Sequence, residues 1–119
     1  MIDDLAYNGW VANVNQLTAD DVRAYAGVAL DSTNLLVINT WAALQFVVNG
    51  ASSVIASNGS ETSGDMGANN LSGYKFYWAG TPDGAYIGDS LETGVVFGAL
   101  TGGQRASLNT NMHAAYGGF

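Results

Sequence analysis

The feature that most constrains this chain is a long interior stretch without charge. Residues 32–57 make up most of it; it begins just after Asp31 and ends just before Glu61. A segment this apolar has to be covered by a core, by another subunit or by a bilayer. The bilayer fits badly. A spanning helix needs about 20 mostly apolar residues, and Asn39, Thr40, Gln45, Asn49, Ser52 and Ser53 interrupt the run. No Lys or Arg flanks it to set an orientation, so no membrane partner is expected. At about 100° per residue, Asn34, Gln45, Asn49 and Ser52 fall on one side and Leu36, Val37, Trp41, Leu44, Val47 and Val48 on the rest. With Ser32 able to cap its start, the pattern predicts a helix over about 33–48, ended by Asn49-Gly50. The β-branched residues favour buried strands instead, and Val54-Ile55 either begins a short strand or continues the helix.

Upstream, residues 18–31 read as a second helix. Thr18 and Asp21 have capping-box spacing, and Val22, Tyr25, Ala26, Ala29 and Leu30 form one apolar stripe. Residues 2–17 are ambiguous between helix, arm and strand.

The second half changes character. Residues 58–72 are rich in Asn, Gly, Ser and Thr and read as an exposed loop. Residues 73–100 are β-like: Tyr74, Phe76 and Trp78 alternate with Lys75 and Tyr77. Thr81-Pro82-Asp83-Gly84 carries the residue order of a β-turn. Ala85-Tyr86-Ile87 would return from it, and Gly94-Val95-Val96-Phe97-Gly98 would add a short strand. A last helix is expected over about 103–116, with Leu108, Met112, Ala115 and Tyr116 on one face and Gly117 as its stop. The reading is a single α+β domain, residues 1–119.

Only 11% of the 119 residues are charged, where roughly 25% is ordinary, and 48% are hydrophobic. A surface covered by Asn, Ser, Thr, Gly and Ala has little repulsion to keep copies apart, which favours association. The net charge of −7 comes from ten acidic and three basic residues. Arg23, Lys75 and Arg105 are too few and too scattered to displace counterions from a phosphate backbone, so direct nucleic-acid binding is not expected. The absence of Cys rules out disulfides, thiolate metal sites and a Cys nucleophile. The acidic start, Met1-Ile2-Asp3-Asp4, lacks the basic n-region of a secretory signal.

No catalytic, cofactor or metal site is expected. His113 is the single histidine, and its helical neighbours would be Tyr116 and Asn109, poor partners for a general base. Asp3-Asp4, Asp20-Asp21 and Asp89 with Glu92 lack the alternating ligand spacing of a calcium loop. Gly98-Ala99-Leu100-Thr101-Gly102-Gly103 has neither the P-loop Lys nor a GxGxxG pattern, and reads as a turn entering the last helix. No GxSxG elbow occurs.

The aromatics Tyr74, Phe76, Tyr77, Trp78 and Tyr86 gather in the expected hairpin, where they suit either a core or a partner contact. Low charge, Asn/Gly/Ala/Ser/Thr richness and absent cysteine resemble, in composition alone, small phage virion proteins such as a capsid decoration (cement) subunit or a minor coat or tail component. The resemblance implies a non-enzymatic structural protein in the virion that acts by self-association or by packing against other virion proteins. Trp10, Trp41, Tyr74, Phe76, Trp78, Tyr86, Tyr116 and Phe119 are the candidate partner contacts. Two alternatives stand beside it: an extracellular carbohydrate- or protein-binding module using the aromatic hairpin, and a pilus or filament subunit packed through 33–57.

Overall fold

The computed structural model describes residues 11–14, 22–32, 36–37, 40–69, 80–81, 84–85, 94, 96 and 98–117. They form two three-stranded antiparallel sheets, a two-stranded hairpin and one C-terminal helix. The first sheet is a meander of β1 (Val11–Val14), β2 (Val22–Tyr25) and β3 (Ala29–Ser32). The second is a meander of β4 (Leu44–Val47), β5 (Ser53–Ser57) and β6 (Ser60–Gly64). A short hairpin, β7 (Gly80–Thr81) with β8 (Gly84–Ala85), precedes helix α1 (Gly102–Tyr116).

The α+β class holds, but its helical first half is corrected to strands wherever that half is described. Over 22–32, Val22, Ala24 and Ala26 are buried while Arg23 and Tyr25 are only half-buried. That is a period of two, not of 3.6. The apolar stripe expected for a helix was carried by Val22 and Ala26, which satisfy both periods. The register Val22↔Ser32 and Ala24↔Leu30 shows which one the fold uses. The expected cap, Thr18 with Asp21, lies outside the described residues. The helix expected over 33–48 is also replaced. Residues 40–43 are irregular, and Leu44–Val47 pairs with β5 through Phe46↔Ile55 and Val47↔Val54. Here the β-branched residues decide, because Val54 and Ile55 give the segment a strand to pair with.

The loop expected over 58–72 contains a strand as well. Ser57 pairs with Ser60 across a two-residue turn made by Asn58 (φ 50°) and Gly59 (φ 87°). Both central residues are left-handed, as a type I′ hairpin requires, and Asn-Gly is the pair that tolerates this best. The hairpin expected at Thr81-Gly84 is present, with Gly80↔Ala85 and Thr81↔Gly84 in register. Its flanks, 73–79 and 86–93, lie outside the described residues. Gly94, Val96 and Gly98 belong to no strand, which corrects the short strand expected there. The last helix is found one residue longer than expected.

The two sheets face each other. Val22, Ala24 and Ala26 of the first meander pack with Ile55 and Met66, flanked by Leu30, Leu36, Leu44, Phe46 and Val48. At the seam between β3 and β6, Ser32 Oγ and Thr62 Oγ1 lie 2.7 Å apart, which satisfies a buried hydroxyl inside the core. All five residues of β5 are buried, so this strand is covered on both faces. Its second face holds a smaller cluster, Val47, Val54 and Ala56. Buried Ser53 is satisfied at the strand start, where its Oγ accepts from Asn49 N–H and donates to Gly50 O.

The β2–β3 turn is tied to the segment after β6. Ala26 N–H and Val28 N–H both donate to Met66 O, and Asn69 N–H donates to Ala26 O. Gly67 (φ 84°) sits against this turn so closely that a Cβ would collide with the Ala26 carbonyl. The approach of two backbones here requires glycine.

Candidate functional site

Helix α1 is incompletely packed. Its start is locally specified. Thr101 is the N-cap: its hydroxyl accepts from Gln104 N–H, and the Gln104 side chain accepts from Thr101 N–H, a reciprocal capping box. At the other end Gly117 (φ 62°) donates its N–H to His113 O. These caps satisfy end groups, yet no residue of the helix is buried. A helix of 15 residues is marginal in water when it stands alone, since about 12–15 residues is the lower limit even for good sequences.

The helix meets its own domain through polar groups. Register places Gln45, Val47, Val54, Ala56 and Glu61 on one face of the second sheet, opposite the inter-sheet core. On that face Arg105 donates Nε–H and Nη2–H to the two carboxylate oxygens of Glu61, each at 2.7 Å. Its Nη1–H reaches Leu100 O at 2.8 Å, and Gln45 Nε2–H donates to Arg105 O at 3.3 Å. The paired guanidinium holds Glu61 below its ordinary carboxylate value, chiefly by hydrogen bonding, and raises Arg105 in return. One turn on, the Asn109 side chain lies beside Gly59 in the β5–β6 turn. The half-buried residues of the helix before Gly117, namely Arg105, Asn109 and Met112, follow i, i+4, i+7 spacing and mark this seam. Gln45 Oε1 and Asn109 Oδ1 are buried on it without a protein hydrogen-bond partner.

The apolar residues beside the seam stay outside. Leu108 is 38% exposed and Tyr116 43%. The face expected to bury Leu108, Met112, Ala115 and Tyr116 therefore turns only Met112 partly inward. The helix lacks the separated apolar and polar sides of an amphipathic one: its exposed residues include polar Gln104, Thr110 and Asn111 as well as Leu108. Near the same end of the sheet, Ala43 N–H donates to Asn58 Oδ1 at 2.8 Å and Asn58 N–H to Ala43 O. The segment leading into Ala43 carries two more exposed apolar side chains, Val37 at 70% and Trp41 at 41%.

Of the candidate contacts, Trp41 and Tyr116 are described, and both are exposed. Trp10, Tyr74, Phe76, Trp78, Tyr86 and Phe119 lie outside the described residues. Arg105, Glu61 and Gln45 were not singled out from sequence. They are separated by 44 and 60 residues, and no local pattern marks such a contact. Thr101 and Gln104 do have the local T-x-x-Q spacing of a capping box, a signal that the sequence reading passed over.

On the outer face of the first sheet, Arg23 grips Asp31 across β2 and β3 at 2.5 and 2.8 Å, and this lowers the Asp31 carboxyl. Among the described residues, no group of three or more His, Cys, Asp or Glu is placed to hold a metal ion, and no helix is long and apolar enough to cross a membrane. No family model, curated protein or solved structure matches the chain.

Proposed function

We propose that this chain is a non-enzymatic assembly protein, a small virion component of the decoration, coat or tail type, which works by packing against copies of itself or against other virion proteins. The observation that carries the reading is the incompletely covered helix α1. It is capped at both ends and docked by polar groups, and none of its residues is fully buried, Leu108 being 38% exposed. Exposed apolar side chains carried on a rigid element mark interaction surfaces. The composition points the same way, since 11% charge gives neighbouring copies little reason to stay apart. The virion setting rests on composition alone.

Sedimentation velocity of the untagged full chain, followed by negative-stain imaging of the largest species, tests the proposal. Discrete closed oligomers or shells are expected. A single monomer boundary with no particles would overturn self-association, and open filaments would move the assignment to a filament subunit.

A further inference from the structure

We infer that α1 is a strap that opens from the second sheet as one unit, hinged at residues 98–101, while both sheets stay folded; this is a property of the single chain and stands apart from the assembly reading. The bonds that shape the helix travel with it. The Thr101–Gln104 capping box, the Gly117–His113 bond and the Arg105 Nη1–H bond to Leu100 O all lie within residues 100–117. Of the hydrogen bonds given above, three cross to the sheet: two from Arg105 to Glu61 and one from Gln45 to Arg105 O. Each uses a side chain of the sheet. Among the described residues no backbone–backbone hydrogen bond joins α1 to a strand. The two sheets are joined differently, by the buried cluster around Ile55 and by the backbone bonds that tie the β2–β3 turn to Met66 and Asn69.

The closed form gains little from apolar burial. Arg105, Asn109 and Met112 are the half-buried residues of α1, the others are exposed, and none is buried. The helix therefore adds little to the burial that holds the fold together. Closing also takes Gln45 Oε1 and Asn109 Oδ1 out of solvent without a protein donor for either, and opening gives both back to water. The hinge is in place. Residues 98–101 belong to no strand or helix, and Gly98 has φ 102° with open space where a Cβ would stand. A segment with few buried contacts opens at a free energy below that of global unfolding. Off the sheet, a helix of 15 residues is marginal, so its amides lose protection together. The open form presents an unpaired Glu61 carboxylate on β6 and an unpaired Arg105 guanidinium on the strap, two charges that the closed form neutralises against each other.

Native-state amide exchange of the full chain tests this, resolved by NMR across a urea series below the unfolding transition, at a concentration where the chain is monomeric. The amides of residues 106–116 are expected to share one opening constant. They should be about tenfold or more less protected than Val54, Ile55 and Ala56 in β5, with a much shallower urea dependence. Glu61→Gln keeps the size of the side chain and removes its charge from the seam; it should lower protection about threefold or more along the whole of 106–116. Helix amides that match β5 in both rate and urea dependence would show that α1 opens only with the whole chain, and overturn the strap. Protection that falls stepwise from Tyr116 towards Ala106, or a Glu61→Gln effect confined to the first turn, would show fraying in place of concerted opening and overturn it equally. Helix amides without any protection overturn the closed form from which the strap opens.

Discussion

Arg105 in the first turn of α1 holds Glu61 on β6 through two parallel hydrogen bonds of 2.7 Å, and so ties the last element of the chain to a strand 44 residues earlier. The arginine is only 12% exposed and the glutamate 34%. This bidentate geometry, with Gln45 and Leu100 completing the grip, is the main described anchor of the helix. Arg105→Ala is expected to lower stability by about 1 kcal/mol, and Arg105→Lys to recover only part of it because Lys cannot bridge both oxygens. Urea titration followed by helix ellipticity reads the loss.

The same pair has a pH signature. Glu61 is held below the ordinary value of 4.5 by Arg105, so a carboxylate with a lowered folded value stabilises the fold above its unfolded value. That contribution is lost as pH falls through the lowered one. The stability difference between the parent chain and Glu61→Gln should be constant near neutrality and shrink as pH falls below about 4.5. Denaturant midpoints for both proteins across that range check it; a difference independent of pH would show that the ion pair contributes nothing.

Among the described residues Ile55 is the largest fully buried side chain, set between the two sheets against Val22, Ala24 and Met66. Ile55→Ala is expected to cost about 2–5 kcal/mol, a large part of the total for a domain of this size. Leu108→Ala, on the exposed side of α1, should cost under about 0.5 kcal/mol at concentrations where the chain is monomeric. Thermal or urea melts of the two variants side by side separate core from surface.

Gly67→Ala probes the docking of the β2–β3 turn. The residue has φ 84° and a Cβ would strike the Ala26 carbonyl, so the substitution meets strain and a clash together. A loss of about 2 kcal/mol or more is expected. Amide exchange should show its fastest change at Ala26, Val28 and Asn69, whose N–H groups close the turn.

What the sequence disclosed follows how local each determinant is. The end of the last helix was legible because Gly117 marks it locally, while the start lies in a Thr101–Gln104 cap that the reading from apolar spacing passed over. The turn at 81–84 was legible for the same reason. The strands at 22–25 and 44–47 were not. Ala24, Ala26, Ala42 and Ala43 are compatible with either period, and the decision lies in pairing with β3 and β5. The Asn58-Gly59 hairpin was present in the sequence as the strongest two-residue turn signal, but the Ser- and Thr-rich strand behind it looked like loop. Of the candidate contact surface, Trp41 and Tyr116 could be named from residue type. The polar docking of α1 could not be, because it depends on Arg105 meeting Glu61.

The most direct test of the account is the mass of the full chain by light scattering across a hundredfold range of concentration. The account predicts a mass rising from the 12.3 kDa of one chain to a defined multiple of it, and held there. A mass that stays at 12.3 kDa at every concentration would contradict self-association.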